Sequence, residues 1–260
     1  MQAIRLHAPG GPEQLVLEEI ETPRAAKGEA LVRVHAAAIT RNELEWPLDR
    51  LPAIPSYELS GQVVAGEAVG AAVYALTPFD RDGAAAEYVV VPQELLAPKP
   101  RTLGHVESAA LPLPALSAWQ GLFTHGRLEA GQRMLITGAT GGVGHLAVQL
   151  ARRTGAKVLT DVDDAGEPVD LVFDTAGGDV LAKCEGHRVV SVAEQPPDDG
   201  IYFVVEPDRA QLIALAELVD RGELRPEIDS IFSLADACAA FERSMARGKR
   251  GKVVLRVVDD

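Results

Sequence analysis

The feature that most constrains this chain is a short pattern, Ala139-Thr140-Gly141-Gly142-Val143-Gly144. It follows an apolar strand, Gln132-Arg133-Met134-Leu135-Ile136-Thr137, and opens a helix in which Val143, Leu146, Ala147, Leu150 and Ala151 fall on one face. Gly155 ends that helix, and Ala156-Lys157-Val158-Leu159-Thr160 reads as a second strand. Strand, turn, helix and strand within about 30 residues form a right-handed crossover on a parallel sheet. In A-x-G-x-x-G the first glycine lets the backbone approach a pyrophosphate, and the second lets the helix pack closely on its strand. The helix N-terminus then presents free N–H groups to an anion. The glycines alone are a weak signal; their place between strand and helix gives them meaning.

This is a Rossmann-type unit, with a tight turn that binds nothing as the competing reading. Asp161 stands about 20 residues past the first glycine, where an acid accepts the ribose 2'-OH of a dinucleotide and repels a 2'-phosphate. Asp163 and Asp164 add to that repulsion, so charge favours NADH over NADPH. The alternative is that Asp161 simply begins a solvated loop.

The formal net charge of −13 opposes phosphate backbones and anionic lipid, so neither nucleic acid nor membrane is an expected partner. No run of eighteen or more apolar residues occurs, and the start, Met1-Gln2-Ala3-Ile4-Arg5-Leu6, reads as a strand rather than a leader. The two cysteines, Cys184 and Cys238, have neither disulfide-framework nor zinc-ligand spacing, which points to a cytoplasmic protein with reduced thiols. The histidines are scattered, and His145, beside Gly144, is expected to pack or cap the helix start.

The first hundred residues alternate short β-rich runs with Gly and Pro, and read as an irregular barrel. Strands are expected at 15–17, 29–35, 61–65, 71–76 and 85–91. Helices at 105–111 and 116–126, separated by Pro112 and Pro114, precede the Rossmann unit. Further strands are expected at 169–174, 188–192 and 201–205, with a helix at 208–221 that Asp208 and Gln211 cap. A helix at 233–245 and a strand at 252–258 close the chain, the strand returning to the N-terminal domain. The division is therefore 1–104 with 228–260 as one domain, and 105–227 as the other.

The chain resembles the medium-chain dehydrogenase/reductases, in the zinc-independent quinone-oxidoreductase branch. The resemblance rests on Gly11-Pro12-Glu13-Gln14-Leu15, Gly28-Glu29-Ala30-Leu31-Val32-Arg33-Val34, Ala109-Ala110-Leu111-Pro112 and Ala115-Leu116-Ser117-Ala118-Trp119. The run from Thr137 to Gly144, Asp174-Thr175-Ala176-Gly177-Gly178 and Arg250-Gly251-Lys252-Val253-Val254-Leu255 complete it. It implies an α/β protein: a GroES-like β-barrel domain plus a Rossmann domain, with the active site in the cleft between them. It also implies hydride transfer from NADH or NADPH to an enone or quinone. Ser117, Thr175, Gly177, Phe203 and Val204 would border the nicotinamide, and Thr40 and Tyr57 would face the small-molecule substrate. Zinc-dependent relatives carry a Cys near Thr40 and a His at Tyr57; only the acid, Glu58, is kept, so no zinc is expected. Thr40 as a helix cap and Tyr57 as a core aromatic are the plainer readings of those residues.

The sequence departs from the family at 161–168, where eight residues rich in Asp, Gly and Pro replace a helix, a strand and a helix that wall the adenosine pocket. The segment 178–185 is also shortened, as is 42–53. Three functions stay open. The first is a reductase of a conjugated carbonyl. The second is a cofactor-independent enzyme performing cyclisation, addition or elimination on a bulky metabolite, with Glu43, Tyr57 and Glu58 as acid/base groups. The third is a binding or scaffold protein. A homodimer through the edge strand at 201–205 is a further expectation.

Overall fold

Strand β3 organises the first half of the molecule. In the computed structural model, which describes residues 1–46, 50–161, 168–182, 188–196 and 199–258, two compact units are found. Unit 1 comprises residues 1–113, 207–220 and 226–260, and unit 2 comprises 114–206 and 221–225.

Unit 1 opens with an antiparallel ribbon of β1 (Gln2–Leu6) and β2 (Leu15–Glu19). Strand β3 (Glu29–Ile39) follows, then β4 (Glu58–Ala65), β5 (Ala72–Leu76), β6 (Tyr88–Pro92) and β7 (Ala97–Pro98). The last residues of β3 are small, Ala36-Ala37-Ala38, which lets both faces be covered. Ala37 packs with Leu59, Val73 and Ala75 on one side. Ala36 and Ala38 meet Val106, Ala109 and Ala110 of α1 (His105–Ala109 and its cap) on the other. Strand β4 begins at Glu58, earlier than the sequence suggests, because pairing with β3 continues to Ala38 opposite Glu58.

Helix α2 (Pro112–Trp119) starts on the prolines that the sequence reads as a break. Pro is tolerated in a first turn because its missing N–H has no intrahelical partner there. Unit 2 then contains β8 (Arg133–Ile136), α3 (Gly144–Thr154), β9 (Lys157–Leu159), β10 (Leu171–Asp174), α4 (Asp179–Ala182), β11 (Val189–Ser191) and β12 (Ile201–Tyr202). Its sheet is wholly parallel, in the order β12-β11-β10-β8-β9. Strands β9 and β10 flank β8, so the order reverses there, which in open α/β sheets marks the ligand-binding end. Among the described residues no strand lies beyond β9. Residues 162–167, with Asp163 and Asp164, and residues 183–187, with Cys184 and His187, fall outside the described residues, as does 47–49.

Helix α5 (Arg209–Asp220) is capped as expected: Asp208 Oδ1 accepts from Gln211 N at 2.9 Å. Both α1 and α5 fall in unit 1. Each is tied to a strand of that unit by a side-chain hydrogen bond: Ser60 and His105 are 2.8 Å apart, and Tyr74 Oη donates to Leu212 O at 2.5 Å. Strand β13 (Ile228–Ser233), unrecognised in the sequence, pairs in parallel with β14 (Lys252–Arg256), and α6 (Ala237–Met245) lies between them in the chain. Strand β14 pairs antiparallel with β3, Val253 opposite Ile39 and Val254 opposite Ala38.

Tyr74 is fully buried. Tyr74→Phe should cost about 1 kcal/mol in chemical denaturation, the net worth of one buried hydrogen bond. Faster amide exchange in α5 should accompany it; unchanged stability would show that the hydroxyl is not an anchor.

Candidate functional site

In unit 2 the turn after β8 is built by backbone. Gly138 takes φ +64, and Gly141 N donates to its carbonyl at 2.8 Å. A Cβ on Gly144 would lie 2.2 Å from Gly138 O, so this glycine is required by the packing of α3 on its strand. At Gly141 a Cβ would meet only Gly138 O, at 3.2 Å, and is otherwise in open space. The protein itself thus needs the bare backbone at Gly144, whereas Gly141 leaves room for something from outside. His145 Nδ1 and Gly141 O are 2.8 Å apart, so this histidine caps the turn. Ala139, Gly142 and Val143 are half-buried and Thr140 is exposed.

Beneath the turn lies a polar network that sequence reasoning missed. The buried Asp174 carboxylate accepts from Thr137 Oγ1 at 2.5 Å, Ser191 Oγ at 2.7 Å, and the N–H groups of Ala176 and Gly177 at 3.2 and 3.1 Å. It ties together the ends of β8, β10 and β11. Thr175 is spent on the same network, its Oγ1 donating to Thr137 O at 2.7 Å. Gly177 has φ +69, and Gly178 N donates to Glu194 Oε1 at 2.6 Å. Ser117 is buried in α2. Phe203 packs its ring on His125 with centroids 4.4 Å apart, while the neighbouring Val204 is 60% exposed. Asp161 is exposed, just past the end of β9.

The second group of candidates lies in unit 1, and strand register explains it. Val253 faces Ile39, so the next antiparallel step brings Lys252 to Thr40; Glu58 faces Ala38 on the opposite edge. With a period of two, Thr40, Glu58 and Lys252 share one sheet face. Thr40 Oγ1 donates to Glu58 Oε1 at 3.2 Å and accepts from Lys252 Nζ at 3.1 Å, and Lys252 also pairs with Glu58. Burial raises the Glu58 carboxyl, and the ammonium opposes that. Glu43 sits in a single 3-10 turn. Its Oε2 accepts from Thr40 N and its Oε1 from Ser56 N, each at 2.9 Å.

Tyr57 does not stand open as the resemblance implies. It is 3% exposed, stacked on Trp46 at 5.9 Å and edge-on to Phe79 at 5.2 Å. Burial, with the Glu43 carboxyl nearby, pushes its phenol up to about 12. Thr40, half-buried, is the candidate in this group that a ligand can reach. Lys252, Ser56, Trp46 and Phe79 were not foreseen; only the pairing of β14 with β3 could have pointed to Lys252. A cavity of about 530 Å³ borders Glu43, Trp46, Gly10 and Phe241, but not Thr40 or Glu58. Among the described residues no group of three or more His, Cys, Asp or Glu is gathered as a metal site, and no helix is long and apolar enough to cross a membrane.

Burial raises Glu43 to about 7, outweighing its two N–H donors. The folded state therefore binds the proton more tightly than the unfolded one. The stability this contributes is complete below about 4.5 and is lost as pH rises through about 7. Glu43→Gln should flatten the stability-against-pH curve across that window, by on the order of 3 kcal/mol. Parallel curves for the two proteins would refute the raised carboxyl.

Two family models match the chain: an alcohol dehydrogenase GroES-like domain over residues 26–101 and a zinc-binding dehydrogenase domain over residues 154–255. The NADPH-dependent alkenal/one oxidoreductase of Arabidopsis thaliana chloroplasts is 30% identical, covering 92% of this chain and 76% of the relative. The quinone oxidoreductase of Rattus norvegicus is 32% identical over 79% of this chain and 66% of its own length. The structure of the quinone oxidoreductase from Coxiella burnetii superposes with a TM-score of 0.90 at 28% identity, covering 99% of both chains. A bare-backbone turn on a parallel sheet, a GroES-like partner domain and these relatives together make the chain a member of the medium-chain dehydrogenase/reductase superfamily, of the quinone-oxidoreductase-like kind.

Proposed function

We propose that this oxidoreductase is an NAD(P)H-dependent reductase of an enone, a quinone or a similar conjugated carbonyl. The observation that carries the proposal is the asymmetry of the two glycines: Gly144 is fixed by its own fold, while Gly141 keeps an open face at the start of α3. That face suits a pyrophosphate, with N–H groups of the helix start as donors. Relatives named as alkenal/one and quinone oxidoreductases support the substrate class.

When bound, the reduced dinucleotide supplies a hydride. Residues 139–144 would hold its phosphates, and Thr175 and Gly177 would line its nicotinamide end, kept in place by Asp174. Thr40 donates a hydrogen bond to the substrate carbonyl as negative charge grows on the oxygen. Asp161 favours a ribose 2'-OH, so NADH is the preferred partner. By the resemblance, zinc-dependent relatives carry a Cys near Thr40 and a His at Tyr57, and the chemistry we propose needs no zinc. The non-redox reading loses its acid/base groups: Glu58 is committed to Lys252, Glu43 to two backbone N–H groups, and Tyr57 is buried. Ile201, Tyr202 and Val204, exposed at the sheet edge, suit contact with a second copy of the chain.

Calorimetric titration with NADH and NADPH tests the proposal, together with loss of reduced-nicotinamide absorbance when an enone or quinone is added. Micromolar binding of NADH, weaker binding of NADPH, and turnover are expected. Gly141→Asp should weaken binding at least a hundredfold, because charges about 4 Å apart at an effective dielectric near 20 interact by about 4 kcal/mol. An absence of binding at millimolar dinucleotide, or full activity in Gly141→Asp, would overturn it.

A further inference from the structure

Thr40 is the reachable corner of a ring whose other members are sealed. Glu58 is 0% and Lys252 3% exposed. The Thr40 hydroxyl has one proton and two lone pairs. Lys252 Nζ donates to a lone pair at 3.1 Å, and the proton rests on Glu58 Oε1 at 3.2 Å. Glu58 has two further donors: Lys252 on the same oxygen, and Leu113 N on Oε2 at 3.0 Å. The proton can therefore turn away from Glu58 without leaving the carboxylate unpaired. Without the ammonium, Glu58 would hold that proton tightly and would repel any anionic oxygen brought to Thr40.

We infer that Lys252 is a positioning residue, which turns Thr40 into a hydrogen-bond donor for an anionic oxygen of the enolate or phenolate class. The inference rests on the reductase reading for the identity of that oxygen, the enolate left when a conjugated carbonyl accepts a hydride. No covalent bond forms or breaks at Thr40 or Lys252. Stability gives little reason for such a pair, since well-packed apolar residues commonly replace buried ion pairs at no loss. What an apolar pair cannot do is donate to a lone pair of Thr40, as Lys252 Nζ does, and so leave the Thr40 proton to be aimed at a ligand.

The probe is 4-nitrophenol, whose absorbance reports its ionisation when bound. The forms compared are the unaltered protein, Thr40→Val, Lys252→Arg and the double variant Glu58→Gln/Lys252→Met, which removes both charges together and so leaves neither unpaired. The unaltered protein and Lys252→Arg should bind the phenolate in preference to the phenol. Thr40→Val and the double variant should lose that preference roughly tenfold. In turnover of an enone, the double variant should lower kcat roughly tenfold to a hundredfold with the KM for NADH unchanged. If the double variant matches the unaltered protein in both measurements while Thr40→Val does not, Lys252 is merely structural and the inference fails, with the reductase reading intact. If no form turns over a conjugated carbonyl but phenolate preference follows Thr40 and Lys252, the reductase reading fails and the positioning role stands. Should the double variant not fold, Lys252→Arg decides: preference like the unaltered protein supports the inference, and preference no better than Thr40→Val overturns it.

Discussion

Strand β3 is bonded along both edges, and the chemistry of unit 1 hangs from its final residues. On one edge β6 pairs with residues 29–33 and β14 with residues 36–39; on the other runs β4. Small side chains at Ala36, Ala37 and Ala38 let a barrel core and a helix cover opposite faces, which removes water from the end of the strand. Thr40 leaves that covered end beside Glu58 and Lys252. Two opposite charges can persist at such depth because each meets the other and further donors or acceptors complete their shells.

Unit 2 solves a different problem, holding a backbone turn open toward solvent without letting it collapse. The carboxylate of Asp174 gathers two hydroxyls and two N–H groups from three loop starts. The turn at 138–144 and the loop at 175–178 are thereby referred to one buried point. An open glycine face above a rigid base is what anion recognition by backbone needs, since donors fixed in advance lose little freedom on binding. The reversal of strand order at β8 places this face at the end of the sheet where such folds take ligands.

The parts legible in the sequence were those encoded by local chemistry. Glycine spacing, the apolar stripe of α3 and the Asp208 cap concern residues a few positions apart, and the structure has each where the pattern puts it. Features decided by distant partners were not legible. Apolar faces on α1 and α5 announce burial but not against which unit. The start of α2 was obscured by Pro112 and Pro114, whose effect depends on position within a helix turn. Lys252 is one residue of a motif, with no role of its own, until register sets it opposite Thr40, and a slip of one residue would turn it to the other face. Tyr57 was expected at the substrate because of its place in a motif; Trp46 and Phe79, which enclose it, lie eleven and twenty-two residues away.

The proposed function depends most on the turn at 138–144 being a working phosphate cradle in a sheet whose edge, among the described residues, is β9. Hydrogen–deuterium exchange resolved to single amides, with and without saturating NADH, addresses this directly. Slowed exchange at the amides of Gly141, Gly142 and Val143, with the β3–β14 pairing unaffected, is the predicted result. Unchanged exchange at those amides, or protection confined to unit 1, would contradict it.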